Sequence, residues 1–225
     1  MLKRHFPAVL AALLLLACTV PAMAQLEPAN LDPHKQEVRA YIESGAYAKR
    51  IAEVALLANK YLVKRIERGT KPGRKLAIVF DIDETVLSNL PHILAQDFGY
   101  MPKNWTAWVA AGRAPAITPV QTIYETAVRG KIDIFFISGR KEEDRASTER
   151  NLREVGYETW TKVFLLPPPS DEVTMTLRGF KIDTRRKLEQ DGYVIIANIG
   201  DQNSDLVGGY AERFFKLPNP FYLMP

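Results

Sequence analysis

The sequence predicts an α/β fold in which a parallel sheet carries helices on both faces. Five short runs are largely apolar at consecutive rather than alternate positions: Leu76–Phe80, Ile132–Ile137, Val163–Leu166, Tyr193–Ile199 and Arg213–Leu217. Strands buried on both faces read this way. Helical patterns lie between them, and alternation of strand and helix indicates right-handed crossovers that gather the strand ends on one rim. Polar residues of particular kinds stand at those ends, where open α/β sheets bind ligands.

The elements follow in order. Residues 1–24 have the layout of an export signal: Lys3, Arg4 and His5, then an apolar stretch from Pro7 to Ala17, then Ala22-Met23-Ala24 as a small-residue cleavage site. Leu15-Leu16-Ala17-Cys18 also resembles a bacterial lipobox, in which Cys18 would be lipidated and would attach the chain to a membrane. Cleavage after Ala24 is the favoured reading, because a small residue is more usual than Leu two positions before a lipidated cysteine. Either route predicts an exported protein, periplasmic or secreted, or an outer-membrane lipoprotein. Cys18 is the only cysteine, so no disulfide is available.

Residues 25–225 read as one domain. Its first part, about 34–68, is helical: Tyr47, Ile51, Val54, Ala55, Ala58, Tyr61 and Leu62 recur at spacings of three and four, with Ser44-Gly45 as a break and Gly69-Thr70-Lys71-Pro72-Gly73 as the stop. A small cap-like insertion, about 89–117, follows the first strand. A helix is expected with Thr118 as N-cap, Pro119 in its first turn, Gln121 completing a capping box and Gly130 closing it. Two more are expected over about 142–156 and 184–191.

Composition excludes little beyond a nucleic-acid polymer. Of 225 residues, 47% are hydrophobic and 25% charged, which suits an ordinary globular chain. The formal charge of +4 includes Lys3 and Arg4; without them 28 basic side chains face 26 acidic ones. No basic run remains.

Asp81 and Asp83 follow the first strand, Ser138-Gly139-Arg140 the second, and Gly200-Asp201 with Asp205 the fourth, while Lys181 lies just before that fourth strand. Carboxylates, a hydroxyl and a lysine on one rim are the parts that phosphoryl transfer through magnesium requires. Beyond the signal only His34 and His92 remain, so a phosphohistidine or a histidine-rich metal site is hard to build. With Cys18 lost or lipidated, aspartate is the nucleophile left. His92 reads as a loop or packed histidine, and Arg140 as the partner of a helix carboxylate.

Phe80-Asp81-Ile82-Asp83-Glu84-Thr85 resembles motif I of the haloacid-dehalogenase (HAD) superfamily, Ile137-Ser138-Gly139-Arg140 motif II, Phe180-Lys181 motif III, and the stretch Ile199 to Asp205 motif IV. The Asp-Glu-Thr form of motif I, Arg185-Arg186 after Lys181, and Phe215-Lys216-Leu217-Pro218-Asn219-Pro220 are similar to the subgroup of bacterial acid-phosphatase lipoproteins and plant acid phosphatases. The resemblance implies a Rossmann-like HAD core and an Mg²⁺-dependent acid phosphatase acting on small phosphomonoesters. It implies Asp81 as nucleophile and Asp83 as acid and base. Mg²⁺ would be held by Asp81, Asp201 and the Asp83 carbonyl, with Asp205 supporting from behind and Ser138, Gly139 and Lys181 at the phosphoryl group. Relatives of this kind act on nucleoside monophosphates; Trp105 and Trp108, with Phe98 and Tyr100, would then stack on a base, or else only cover the sheet. A phosphotransferase of the same fold, a noncatalytic exported storage or binding protein, and a receiver domain are the alternatives. Export disfavours the receiver, and retention of Asp81 disfavours the noncatalytic reading.

Overall fold

The computed structural model describes residues 28–168 and 175–224; the expected signal segment and Cys18 lie outside them. The chain divides into two compact units, Met1–Leu31 and Asp32–Pro225, and the second carries the sheet. Residues 28–30 belong to no regular element.

Two helices come first, α1 (Leu31–Glu43) and α2 (Ala46–Glu67), separated at Gly45, whose φ of 75° only glycine adopts without strain. Tyr47, Ile51, Val54, Ala55, Ala58 and Leu62 form the buried stripe of α2. The sheet then begins: β1 (Lys75–Phe80), α3 (Leu90–Ala95), α4 (Pro102–Ala111), α5 (Thr118–Arg129), β2 (Asp133–Lys141), α6 (Arg145–Glu154), β3 (Lys162–Leu166), α7 (Leu177–Gln190), β4 (Tyr193–Gly200), α8 (Asn203–Leu206) and β5 (Phe214–Lys216). Among the described residues these five strands pair only in parallel, in the order β3-β2-β1-β4-β5. The expected parallel sheet is thus observed. Its order reverses between β1 and β4, and a crevice opens beyond the strand ends at such a switch point.

Strands β1, β2 and β4 divide their side chains between two cores. Ile78 and Phe80 of β1, Ile134 and Phe136 of β2 and Ile196 of β4 share one with α2, α5 and Leu152 of α6. Ala77 and Val79, Phe135 and Ile137, and Ile195 face the other way, onto Phe180 and Leu188 of α7. This alternation follows from the twofold side-chain period of a strand, and both faces are apolar because both are covered.

Three expectations about elements need correction. The helix after the insertion is capped by Ile117, and Thr118 lies inside it, so no Thr118–Gln121 box forms; the Gln121 amide instead donates to Val155 O at 2.9 Å. Helix α7 begins at Leu177, seven residues before Thr184, with Thr176 Oγ1 accepting from Gly179 N at 3.1 Å as its cap. Strand β2 runs on to Lys141, so Ser138-Gly139-Arg140 belongs to the strand end itself; its register against β3 shifts between Ser138 and Lys141.

The stretch expected as a cap holds α3 and α4 and is closed at its base. Ile117 N donates to Val86 O at 3.0 Å and Ser88 N to Pro115 O at 2.8 Å, which fixes where the chain leaves and rejoins the sheet rim.

Candidate active site

Asp81 is the first residue beyond β1, and its N–H donates to Ile199 O of β4 at 2.9 Å, drawing the two strand ends together at the switch point. The chain then turns about one carbonyl: Ile82 O accepts from the N–H groups of Thr85, Val86 and Leu87 at 3.3, 2.9 and 2.9 Å. Inside this turn Glu84 has a φ of 54°, a left-handed conformation that a non-glycine residue keeps only when its surroundings hold it. The Asn89 backbone N–H and side-chain amide donate to the Glu84 carboxylate at 2.6 and 3.1 Å, and the Tyr222 hydroxyl donates at 2.6 Å. Burial, with Asp83 beside it, pushes Glu84 up to about 8, so at neutral pH it adds no full charge next to Asp83.

On the other side of the switch point, Gly200 ends β4. A Cβ at this position would stand 2.5 Å from Asp205 Cβ, so glycine is needed for that close approach. Asp205 Oδ2 accepts from Gln202 N at 2.8 Å, closing a capping box at the start of α8. Asp201 Oδ1 accepts from Thr85 Oγ1 at 3.2 Å; its Oδ2 accepts from the Gln202 and Asn219 amides at 2.6 and 2.7 Å. Lys181, in the second turn of α7, donates to Asp81 Oδ1 at 2.6 Å and also pairs with Asp205 Oδ1. Burial opposes its charge, but Asp81 and Asp205 overcome that and raise it above the usual lysine range.

One carboxylate oxygen from each of Asp81, Asp201 and Asp205 lies within 4.8 Å of the others. Burial raises Asp81 well above the usual carboxylate range, and burial together with Asp205 pushes Asp201 up to about 6. Three buried carboxylates share one ammonium, so the cluster is short of positive charge. All its donors are hard oxygens, a set that fits Mg²⁺.

Asp83 points elsewhere. Arg140 Nη2 donates to its Oδ1 at 2.7 Å and Nε lies 3.1 Å from both oxygens, while the Asn89 amide donates to Oδ1 at 2.8 Å. Burial would raise Asp83, but Arg140 and Asn89 bring it below the usual aspartate range. Arg140 also donates to the Thr148 hydroxyl of α6 at 3.2 Å, but the carboxylate it pairs with is Asp83 of the Asp-x-Asp turn, not one on a helix as expected. Ser138, expected at the phosphoryl group with Gly139 and Lys181, is instead wholly buried beneath this pair and outside the cavity lining; its hydroxyl accepts from Arg140 N at 3.1 Å and lies 3.5 Å from Asp83 Oδ2.

Above the cluster lies a cavity of about 590 Å³ whose lining includes Asp81, Asp83, Gly139, Arg140, Lys181 and Asp201. Its outer wall includes His92, Phe98, Tyr100 and Trp105 from the insertion. Trp108 is not part of that lining: its indole N–H donates to Asn89 Oδ1 at 2.7 Å and its ring stacks on His92, centroids 5.5 Å apart. The two tryptophans, paired in the sequence reading, therefore have different surroundings. Glu84, Asn89, Asn219 and Tyr222 were not singled out from the sequence as site residues. Two of them stand within quoted motifs, Glu84 in the Asp-Glu-Thr form of motif I and Asn219 in Phe215–Pro220; Asn89 and Tyr222 carry no such signal.

The doubly covered parallel sheet with an Asp-x-Asp turn at its switch point defines a HAD-type α/β fold. Residues 11–225 match the sequence profile of the HAD superfamily, subfamily IIIB (acid phosphatase), and the chain belongs to that family. It is 42% identical over 153 residues to the Stem 28 kDa glycoprotein of Glycine max, covering 66% of this chain and 60% of that protein, less than two thirds of the relative's length. It is 34% identical over 208 residues to Acid phosphatase 1 of Solanum lycopersicum, covering 88% and 80%. Among solved structures, a class C acid phosphatase from Bacillus anthracis superposes with a TM-score of 0.69 at 25% identity, over 84% of this chain and 86% of that one.

Proposed function

We propose that the protein is an exported Mg²⁺-dependent phosphatase of small phosphomonoesters that works through an aspartyl-phosphate. The observation that carries this reading is the cluster of Asp81, Asp201 and Asp205 around Lys181 on the floor of a cavity wide enough for an ester's leaving group. Asp81, Asp201 and the main-chain carbonyl of Asp83 would hold the metal, which supplies positive charge to the phosphoryl oxygens and to the anionic nucleophile. Asp205, whose two oxygens are engaged by Lys181 and Gln202 N, serves to keep Lys181 in place.

The Asp81 carboxylate attacks phosphorus, and the P–O bond to the leaving alcohol breaks as Asp83 gives that oxygen a proton. Asp83 then takes a proton from water, which attacks the aspartyl-phosphate, releases inorganic phosphate and restores Asp81. Lys181 reduces the repulsion between Asp81 and an anionic ester. Asp83 must be released from the Arg140 fork to act as an acid. A phosphoryl group entering beside Gly139 and Arg140 offers the guanidinium other acceptors, and its negative charge raises the proton affinity of Asp83. Ser138 supports this position from below.

The aromatic wall favours esters with an aryl or nucleoside leaving group, with Trp105 as the stacking ring. A panel of phosphate esters assayed with and without Mg²⁺ tests the reading. Hydrolysis that requires the metal and favours nucleoside monophosphates over small aliphatic phosphates is expected; metal-independent hydrolysis would overturn it. Product analysis with an added alcohol separates hydrolysis from phosphotransfer. Mass spectrometry of the mature N-terminus separates cleavage after Ala24 from lipidation at Cys18.

A further inference from the structure

The segment after β5 is tied into the site more closely than a connection that ends a sheet requires. The Asn219 amide donates to Asp201 Oδ2 at 2.7 Å, and the Tyr222 hydroxyl to Glu84 Oε2 at 2.6 Å. Gln202, next to Asp201, donates to Tyr222 O at 3.4 Å and accepts from Met224 N at 3.0 Å; Ser204 Oγ donates to Met224 O at 3.3 Å. Phe221 sits edge-on to Tyr47 of α2, centroids 5.1 Å apart, and stacks beside Phe98 of the insertion at 6.3 Å. Phe221 through Met224 line the cavity.

Asn219 is the most constrained member of this segment. Its Oδ1 accepts from Phe221 N at 2.9 Å and Tyr222 N at 3.4 Å, so the opposite edge of the amide must present its N–H groups to Asp201. The Gln202 amide donates to the same oxygen of Asp201. With Oδ2 held by two amides, the rotation of the Asp201 carboxylate is fixed, and Oδ1 keeps a lone pair beyond the one that accepts from Thr85.

We infer that Asn219 is a positioning residue for the metal: it locks the Asp201 carboxylate so that Oδ1 is offered to a divalent cation, and the segment 218–224 is thereby a built-in part of the catalytic site. The inference rests on the metal-dependent reading above. Outer partners that orient a metal-binding carboxylate are typically worth about 10–100-fold in metal affinity.

Binding of Mn²⁺, as a paramagnetic stand-in for Mg²⁺, to the metal-free full chain can be followed by electron paramagnetic resonance without substrate. Asn219→Ser keeps a short acceptor for Phe221 N and removes the amide N–H that donates to Asp201. It should bind Mn²⁺ about 10–100-fold more weakly than wild type at a temperature where the metal-free variant is still fully folded. Asn219→Thr, with less backbone freedom, takes its place should Asn219→Ser not fold. Wild-type affinity in a folded variant, or a loss of affinity matched by a general loss of stability, would overturn the positioning role and leave the metal site standing. If wild type binds no Mn²⁺, or Asp201→Asn binds it as tightly as wild type, the metal site itself is misassigned and this inference falls with it.

Discussion

Asp81, Asp201 and Lys181 line the floor of the cavity with Asp205 behind them, and the four are 6, 1, 4 and 2% exposed; Lys181 of α7 ties Asp81, at the end of β1, to Asp205 of α8, while Asp201, at the end of β4, is held by Thr85, Gln202 and Asn219. On the opposite wall, Tyr100 is 69% exposed, and in the helices of the insertion only Ile93 and Val109 are buried. The two regions face the same space under different constraints. A pre-organised charged floor cannot adjust without loss of the chemistry it performs, because its dipoles must already be in place when charge moves. A half-exposed wall adjusts at little cost, so under the proposed function it would discriminate between leaving groups without affecting the bond that breaks. Changes to the floor should therefore appear in the chemical step, and changes to the wall in substrate binding.

On the proposed mechanism the largest effect is expected from Asp81→Asn, which would remove the attacking oxygen and one anionic ligand of the metal. Steady-state assays should show turnover lower by several orders of magnitude, and EDTA should reduce wild type similarly until Mg²⁺ is returned. Comparable activity in Asp81→Asn would end the distinction between floor and wall. Next comes Asp83→Asn, which keeps the main-chain carbonyl and loses proton transfer, a step worth about 10²–10⁴-fold. In single-turnover measurements p-nitrophenyl phosphate, whose leaving group needs little protonation, should be slowed less than a nucleoside monophosphate. Equal slowing would move the acid role to another residue.

The wall itself supplies the smaller effects. Trp105→Ala should raise KM for a nucleoside monophosphate more than for a small aliphatic phosphate, with little change in kcat for either. Trp108→Phe removes the donor to Asn89 and should cost about 1 kcal/mol of stability in chemical denaturation. It should leave the KM ratio of the two substrates as in wild type. If the two variants behaved alike, the wall would act as one packed unit and not as a substrate platform beside a support.

The floor was more legible in the sequence than the wall for the same physical reasons. A run such as Leu76–Phe80 ending in Asp81 records both the burial of a strand and the abrupt polarity of its end, and Tyr193–Ile199 before Gly200-Asp201 does the same. Helix α7 was foreshortened because its buried face carries Lys181, Thr184 and Arg185, which break the apolar stripe that reveals a helix. Arg185 is buried as a cation on three carbonyls, those of Asp205, Val207 and Gly209, an arrangement that local pattern cannot reveal. The same limit applies to Tyr222 and Glu84, partners 138 positions apart. Arg140 was visible as part of its motif, but its partner depended on β2 extending past Ser138 to face Asp83.

The central claim, that Asp81 is the nucleophile, is tested most directly by trapping the intermediate. Enzyme mixed with Mg²⁺ and excess phosphomonoester, acid-quenched within the first turnover and treated with borohydride, should contain homoserine at position 81 in peptide mass spectrometry, because borohydride reduces an acyl phosphate to the alcohol. Reduction at another aspartate, or none at 81 during steady turnover under conditions that trap a known aspartyl-phosphate, would contradict the account.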